Sequence, residues 1–287
     1  MPLNRAVIKK IVKGALAEDA AYQDITTLSF IPQETRVKAR IVAKEKGVVC
    51  GIFIAREVFK TFDSKLLFKV YKKDGQKVGS GNTVVILEGR ARSILSCERV
   101  ALNFLSTLCG ISTQTYKAVS RVRSKGIQIL DTRKTTPLLR AFEKYAVLMG
   151  QGKNHRFDLS NQYLVKDNHL FILKKTRGLE ALAGREKNIP FEIEVESLRD
   201  LTKALSYCPD IVMLDNFTPQ DIKKAIHLIR RYFPNKEKRP LIELSGGITL
   251  ENISRFAIKG VDFISLGALT HSARALDVSL EIVKVYG

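Results

Sequence analysis

The feature that most constrains this chain is a strand–helix rhythm that begins near residue 126. Six apolar runs end abruptly in polar residues: IQILD (127–131), YLVKD (163–167), FEIEVE (191–196), IVMLD (211–215), LIELS (241–245) and VDFISLG (261–267). Amphipathic stretches lie between most of them, including 198–208, 219–233 and 251–260. Repeated βα units of this length predict parallel strands joined by right-handed crossovers. Six or seven units in about 160 residues predict an α/β barrel with fewer than the eight units of a complete one.

The N-terminal part of the chain follows a different pattern. Residues 36–51 alternate apolar and charged side chains, and 65–91 contain DG and GSGN turn signals between apolar runs. These signals predict a small, partly antiparallel sheet with a helix from Ala55 to Thr61 packed against it. The stretch from Ile94 to about Arg123 has helical spacing. We expect that helix to break near Gly110.

Composition excludes several classes of protein. No window approaches ~18 consecutive apolar residues, so we expect no membrane span. Charges interrupt the N-terminal segment throughout, so we expect no secretory signal. The cysteines at 50, 97, 109 and 208 form no CxxC pair and no cluster with zinc-ligand spacing. Buried, reduced thiols and a cytoplasmic location are the expectation.

The formal net charge of +19 permits two interpretations. One is nucleic-acid binding through phosphate neutralisation, and the other is a basic site for small, highly anionic substrates. The basic runs at 9–10, 174–177 and 230–239 carry no interleaved aromatic repeat, zinc finger or RNA-binding signature. We therefore expect small-molecule substrates and no nucleic-acid partner.

Polar residues follow the predicted barrel strands at the end where such barrels carry their active sites. The strand ends are DTRK (131–134), KDNH (166–169), the glutamates at 192, 194 and 196, DN (215–216), SGG (245–247) and GALT (267–270). Taken singly, each has a structural explanation as a helix cap, a turn or a solvated edge strand. Their coincidence favours function, because charges at a buried rim persist only when they are paired or used.

The residue types at this rim suggest a phosphorylated sugar beside an anionic partner. Glycine-rich turns after the last two strands can bind phosphate through backbone N–H groups; here they are Ser245, Gly246, Gly247 and Gly267. Glu194 and Asp215, on neighbouring strands, would suit Mg²⁺ or sugar hydroxyls. The candidate cations for a compact polyanion are Arg133, Lys134, His155, Arg156 and Lys166. No nucleophile sits beside a base, which favours catalysis by positioning and charge stabilisation.

Motifs in this order resemble those of the quinolinate phosphoribosyltransferase family. The C-terminal ones are DTRKTTP (131–137), EKYAV (143–147), NHR (154–156), LVKDNH (164–169), VMLDNF (212–217), ELSGGIT (243–249) and SLGALTHSARALDVSL (265–280). The N-terminal ones are QDITT (23–27), AKEKGVVCG (43–51) and CERVALNFLSTLCGI (97–111). The resemblance covers nearly the whole chain.

The resemblance implies a small N-terminal α/β sandwich domain, here 1–110, and a C-terminal open α/β barrel, 111–271, with a tail, 272–287, able to pack back on the first domain. It implies that quinolinate and phosphoribosyl pyrophosphate react, with Mg²⁺, to give nicotinate mononucleotide, pyrophosphate and CO₂ in NAD biosynthesis. It also implies a homodimer with shared active sites, or a hexamer of such dimers.

Individual roles follow from the same resemblance. The quinolinate- and phosphate-binding cations would be Arg133, Lys134, His155, Arg156 and Lys166, and the phosphate loops would be Ser245–Gly247 and Gly267. Glu194 and Asp215 would be the ribose and Mg²⁺ carboxylates. Arg99 would reach into the partner subunit's site. We expect Lys134, Glu194 and Asp215 to be the catalytic residues.

Three departures from the family pattern concern loops. Leu138 replaces the glycine usual after TTP, Gln151 stands in a run usually richer in glycine, and Asp158 occupies a common glycine position. Two alternatives compete with this assignment. A molybdate-transport-linked paralogue shares the fold but has degraded KDNH and DTRKTTP motifs, which are intact here. A non-catalytic nucleic-acid-binding protein would explain the charge but not the carboxylates at 194 and 215.

Overall fold

The computed structural model describes residues 4–286; residues 1–3 and Gly287, which the predicted domain ranges include, lie outside the described residues. The strands are β1 Arg36–Ala43, β2 Gly47–Val48, β3 Leu67–Val70, β4 Lys77–Val78, β5 Thr83–Arg90, β6 Gln128–Leu130, β7 Tyr163–Val165, β8 Phe191–Val195, β9 Ile211–Asp215, β10 Leu241–Ser245, β11 Phe263–Ser265 and β12 Val278–Tyr286. The α-helices are α1 Arg5–Glu18, α2 Ile25–Phe30, α3 Ile52–Phe62, α4 Ala91–Val122, α5 Arg140–Met149, α6 Asp167–Lys175, α7 Leu198–Leu205, α8 Pro219–Tyr232, α9 Ile253–Phe256 and α10 Ala268–His271. These elements form two compact units.

Unit 1 comprises Met1–Tyr116, Thr135–Gln151 and Ser272–Gly287. Its antiparallel sheet has the strand order β12-β1-β5-β3, and β2 pairs separately with β4. The C-terminal strand β12 pairs along the whole of β1, so the tail returns to the N-terminal sheet. Helix α1 begins after Asn4, whose side chain caps the Ala6 N–H, and packs against α3.

The two units differ from the predicted domains at residues 111–116, which belong to unit 1, and in one longer segment. The prediction assigned everything from residue 111 to residue 271 to the barrel. The structure instead groups Thr135–Gln151, which carries α5, with unit 1. Within this segment the buried carboxylate of Glu143 accepts hydrogen bonds from the Thr136 N–H at 3.1 and 3.3 Å. That capping ties the TTP motif to α5, a contact between residues seven apart that the repeat pattern does not reveal.

Helix α4 runs without interruption through Gly110, so the expected break there is wrong. A Cβ at Gly110 would lie 2.3 Å from the carbonyl oxygen of Arg274. The glycine therefore serves a close backbone approach by the returning tail and does not end the helix. With the turn that follows, Ala91–Lys125, the helix is long and apolar enough to cross a membrane by length and composition, but 56% of its most apolar window is buried in the structure. That burial is the behaviour of a core helix.

Unit 2 comprises Lys117–Lys134 and Gly152–His271 and contains the predicted barrel strands. Its six strands are all parallel in the order β6-β11-β10-β9-β8-β7. Strand β6, the first of the six along the chain, therefore lies beside β11, the last, as in a barrel. Strands β6 and β7 do not pair with each other, so the barrel is open. The predicted α/β fold with an open barrel is confirmed.

Local signals explain the helices of unit 2. Ser197 and Thr218 cap α7 and α8 by accepting hydrogen bonds from backbone N–H groups three residues on, and Pro219 occupies the first turn of α8. The helix expected over 251–260 shortens to α9, because the chain turns after Phe256, whose carbonyl accepts from the Ile258 N–H. Of the four cysteines, those at 50, 97 and 109 are buried as expected, whereas Cys208 is exposed at the turn after α7.

Candidate active site

The carboxyl ends of the parallel strands in unit 2 surround a pocket of about 520 Å³. Eleven predicted site residues line it: Arg133, Lys134, His155, Arg156, Lys166, Glu194, Asp215, Ser245, Gly246, Gly247 and Gly267. Arg99 is exposed on α4 in unit 1, and the pocket lining found among residues 4–286 does not include it. The motifs of unit 2 therefore converge as the strand-end argument requires.

Positive charge is dense on one side of the pocket. Burial, and next the neighbouring charge of Arg133, lower the pKa of the Arg156 guanidinium from its ordinary value. Arg156 Nη1 donates to the carbonyl oxygen of Gln162 at 3.0 Å. The backbone of Lys134 is held at both polar groups, since its N–H donates to Thr132 Oγ1 and its carbonyl accepts from Thr270 Oγ1. The neighbouring guanidinium groups of Arg133 and Arg156 repel each other, and a bound anion would relieve that repulsion.

Two carboxylates face the cations from neighbouring strands. Glu194 lies on β8, which is an internal strand between β7 and β9, so the edge-strand explanation fails. Its carboxylate forms an ion pair with the Lys166 ammonium. Asp215 ends β9, and the Asn216 side-chain amide donates to its Oδ2 at 2.7 Å. The third glutamate of the stripe, Glu196, is exposed beyond the end of the strand.

The loop after β10 brings backbone into the pocket. Gly246 and Gly247 both have left-handed backbone conformations, with φ of +85° and +61°. At Gly246 a Cβ would lie 2.2 Å from Asn216 Oδ1, so a side chain is excluded by contact as well as by conformation. Two successive left-handed residues make a tight turn, and the backbone N–H groups of such turns can form an anion-binding nest.

His155 uses both of its ring nitrogens inside the protein. Nδ1 accepts a hydrogen bond from the Arg156 backbone N–H at 2.8 Å, so the ring proton lies on Nε2. Nε2 faces Glu192 Oε2 at 3.1 Å. The backbone N–H of His155 donates to the fully buried Asp131 carboxylate at 2.9 Å. The imidazole borders the pocket, but in this arrangement it orders the loop and does not present a ring N–H to a ligand.

Family models match nearly the whole length of this chain. The model described as the N-terminal domain of quinolinate phosphoribosyl transferase matches residues 24–109, and the model of its C-terminal domain matches 111–281. The chain belongs to the quinolinate phosphoribosyltransferase family. The resemblance inferred from the sequence motifs is thereby confirmed.

Individual members of this family are similar over their full length. A probable nicotinate-nucleotide pyrophosphorylase (carboxylating) from Methanocaldococcus jannaschii is 42% identical over 96% of this chain and 97% of its own. A nicotinate-nucleotide pyrophosphorylase (carboxylating) from Mycobacterium leprae is 38% identical over 94% and 95%. The crystal structure of NadC from Streptococcus pyogenes, 38% identical, superposes with a TM-score of 0.89 over 100% of this chain and 99% of that one.

Two of the departures from the quinolinate phosphoribosyltransferase pattern fall where the backbone is left-handed. Leu138 has φ of +67° and Gln151 has φ of +69°. Glycine adopts this conformation without strain, which gives a glycine after TTP and a glycine-rich run near residue 151 a physical basis. Asp158 is not among the positive-φ residues, and its carboxylate caps the Ser160 N–H at 2.9 Å. The fold thus keeps the loop geometry and tolerates two strained residues.

Sequence reasoning missed several polar residues of this site. His271, Ser265 and Glu243 line the pocket, and Gln162 and Asn216 hydrogen bond to its charged groups. His271 lies four residues after Gly267, within a matched motif, so the motif could have signalled it. Glu243 alternates with Ser245 on β10 and shares its face, but a glutamate inside an apolar run has no sequence signal of its own.

Proposed function

We propose that the pocket of unit 2 transfers a phosphoribosyl group from phosphoribosyl pyrophosphate to quinolinate with loss of CO₂. The products are nicotinate mononucleotide, pyrophosphate and CO₂, which makes the chain a phosphoribosyltransferase of NAD biosynthesis. The observation that carries the proposal is one pocket lined by clustered cations, two adjacent carboxylates and a glycine nest. Those three features match an aromatic dicarboxylate, a ribose and phosphate groups in turn.

The cationic side of the pocket suits quinolinate. Lys134, Arg156 and Lys166 supply the charge that two neighbouring carboxylates on one ring require, with Arg133 beside them. Arginine can bind a carboxylate with two parallel hydrogen bonds, whereas lysine acts as a point charge. Nicotinate has a single carboxylate and would leave part of this charge unpaired, so the site favours the diacid.

The opposite side suits phosphoribosyl pyrophosphate and Mg²⁺. The turns at Ser245–Gly247 and Gly267 offer backbone N–H groups to a phosphate. Glu194 and Asp215 fit a hard cation, because Mg²⁺ takes one or two carboxylates and completes its shell with water and substrate oxygens. Bound there, Mg²⁺ would neutralise charge on the departing pyrophosphate. The carboxylates themselves can also hold ribose hydroxyls.

The chemistry needs no covalent intermediate with the protein. The pyridine nitrogen forms a bond to C1 of the ribose while the bond from C1 to the pyrophosphate oxygen breaks. The 2-carboxylate then leaves as CO₂, and the electron pair that remains on the ring carbon takes up a proton. Lys134 and Lys166 stabilise negative charge, and Glu194 and Asp215 face the cation-like sugar.

We also propose a cytoplasmic homodimer that shares its active sites, or a hexamer of such dimers. The support is the exposure of Arg99 on α4, at a motif that resembles the one by which family members complete a neighbouring site. A self-complementary two-fold contact would give two composite sites per dimer.

The decisive experiment assays the purified protein with phosphoribosyl pyrophosphate, Mg²⁺ and either quinolinate or nicotinate. We expect nicotinate mononucleotide and CO₂ from quinolinate, and no turnover of nicotinate with or without ATP, since the chain has no GxxxxGK[ST] loop. Turnover of nicotinate alone would contradict the proposal. Turnover of neither acceptor would favour the transport-linked paralogue.

A further inference from the structure

A buried polar cluster to which the proposed reaction gives no role borders the pocket, and two of its members, His155 and Glu243, help to line it. Its centre is formed by Glu192 on β8 and Glu243 on β10, which are both completely buried. Among the described residues, no N–H or hydroxyl group donates to Glu192 Oε1 or Glu243 Oε2. Each carboxyl is held through its other oxygen: Glu192 Oε2 accepts from the Gln162 amide and faces His155 Nε2, and Glu243 Oε1 accepts from Ser265 Oγ.

The same cluster has the spacing of a metal site, because ligand atoms of His155, Glu192 and Glu243 lie within 4.8 Å of one another. Its hydrogen bonds argue against that use. The Arg156 N–H donates to His155 Nδ1, which leaves the ring proton on Nε2 facing Glu192. A protonated ring nitrogen has no lone pair for a metal. The cluster is consequently a hydrogen-bond network with Glu192 as its acceptor.

Two routes lead from Glu192 to Arg156. The first runs through the imidazole of His155, whose Nδ1 accepts from the Arg156 backbone N–H. The second runs through Gln162, whose side-chain amide donates to Glu192 Oε2 at 2.7 Å and whose backbone carbonyl accepts from Arg156 Nη1 at 3.0 Å. The backbone and the guanidinium of Arg156 are therefore both fixed by groups that Glu192 orients.

We propose that Glu192 and Gln162 are positioning residues that hold the Arg156 guanidinium in the orientation that binds a carboxylate of the acceptor. Neither residue lines the pocket, so each acts through Arg156. A guanidinium ordered in advance loses less conformational freedom on binding, which strengthens affinity for the acceptor specifically. The inference rests on the proposed role of Arg156 in binding quinolinate.

Steady-state kinetics with both substrates tests this proposal. Gln162→Leu and Glu192→Gln should each raise the KM for quinolinate about 10-fold, the effect of losing one hydrogen bond to a charged group. The KM for phosphoribosyl pyrophosphate should stay within about 2-fold, because the network does not reach the glycine nest. Gln220→Leu, at an exposed glutamine of α8 in the same unit, is the matched control and should behave as wild type. Gln162 is only half-buried, so its variant tests the proposal even if Glu192→Gln does not fold.

A double-mutant cycle separates positioning from general damage. In an Arg156→Ala background, Gln162→Leu should raise the KM for quinolinate no further, since the group that it positions is gone. Additive effects, or equal rises in both KM values, would overturn the proposal.

If Arg156→Ala raises the KM for quinolinate but Gln162→Leu and Glu192→Gln do not, positioning alone is refuted. If Arg156→Ala itself has no effect, the acceptor assignment fails as well. One equivalent of transition metal in the purified protein, lost in Glu243→Gln, would also overturn it.

Discussion

The ammonium group of Lys166 is paired with the carboxylate of Glu194, side by side at the ends of β7 and β8. This pair joins a cation assigned to quinolinate with a carboxylate assigned to Mg²⁺ and ribose. Glu194 is nearly buried, with 10% of its side chain exposed, whereas Lys166 is 43% exposed. The ammonium is therefore the partner that solvent reaches more easily, and the carboxylate is the more enclosed one.

The carboxylates should govern turnover. We expect Glu194→Gln and Asp215→Asn each to lower kcat about 100-fold, because each removes charge that faces the cation-like sugar. Circular dichroism should show an intact fold, since both residues lie at the rim of the sheet. Glu196→Gln is the control, because Glu196 belongs to the same sequence stripe but is exposed. Near wild-type rates in both rim variants would show that the carboxylates are structural.

The glycine nest should be intolerant of even one methyl group. Gly246→Ala combines a left-handed conformation with a contact of 2.2 Å to Asn216 Oδ1, and Asn216 orients Asp215. We expect the affinity for phosphoribosyl pyrophosphate, measured by calorimetry, to fall at least about 10-fold. Gly184→Ala in the same unit is the matched control, because a Cβ there meets nothing within 4 Å. Unchanged affinity in Gly246→Ala would place the phosphates elsewhere.

The residues at the strand ends could be predicted from sequence because the position of each follows directly from the strand that precedes it. Asp215 and Ser245 follow apolar runs, parallel strands end at one rim, and register pairs the two residues directly. Gln162 and Glu243 could not be found in this way. Gln162 contributes through a backbone carbonyl and one amide proton, and Glu243 through a carboxyl oxygen that accepts from Ser265 on the neighbouring strand. Such roles depend on tertiary neighbours and leave no periodic pattern.

Gly110 and Leu138 show the same limit for the fold. A glycine inside a helical pattern predicts a break, but the returning tail at Arg274 is what requires Gly110, and its position is not readable locally. Leu138 departs from a glycine-rich pattern, and the departure could be read as altered loop geometry. The structure keeps the geometry and places the leucine at φ of +67°. Global packing therefore overrides the preference of a single residue.

Leu138 should accordingly be a site of gained stability. Its side chain is 83% exposed, so Leu138→Gly loses little packing. Relief of about 1–2 kcal/mol of left-handed strain outweighs the ~0.5–1 kcal/mol entropic penalty of glycine. We expect the free energy of unfolding to rise by about 0.5–1 kcal/mol in urea titrations. Leu138→Ala keeps the strain and should stay near wild type. An equal gain in both variants would show that removal of an exposed leucine, and not strain, is responsible.

The buried carboxyl pair should make stability depend on pH. Burial, and next the charge of Glu192, raise the pKa of Glu243 to about 8. The folded protein therefore binds this proton more tightly than the unfolded chain does. The stabilisation that this tighter proton binding provides is fully present below the pKa that Glu243 has in the unfolded chain. It is lost as the pH rises through the pKa that Glu243 has in the folded protein. Burial also raises the pKa of Glu192, to about 7. The unfolding free energy should therefore fall by up to about 1.4 kcal/mol per pH unit for each of the two carboxyls, between about pH 5 and 7 for Glu192 and between about pH 5 and 8 for Glu243.

Removing the titrating group should flatten that profile. Glu243→Gln keeps the shape of the side chain but cannot ionise, so its unfolding free energy should vary less over the same interval. Urea titrations at several pH values measure the slope. Glu186→Gln, at an exposed position of the same unit, should keep the wild-type slope. A Glu243→Gln profile as steep as that of the wild type would assign the pH dependence to other groups.

The proposed sharing of sites between subunits can be tested by complementation. Arg99→Ala and Glu194→Gln should each be nearly inactive alone, because one removes the partner's contribution and the other a residue of the pocket itself. Co-refolding the two variants should yield some mixed dimers. In a mixed dimer, one site carries both lesions and the other carries neither, since a two-fold contact forms two composite sites. Activity should reappear and approach half of the wild-type value per mixed dimer.

The control for that experiment pairs two lesions of the same pocket. Asp215→Asn co-refolded with Glu194→Gln leaves every site with one lesion from its own chain, so no activity should return. Differently tagged chains allow mixed dimers to be isolated before assay, which removes the uncertainty of random pairing. If isolated Arg99→Ala/Glu194→Gln dimers stay inactive, Arg99 serves its own subunit or no site. If they recover while the Asp215→Asn pairing does not, the exposed arginine on α4 completes a neighbour's pocket.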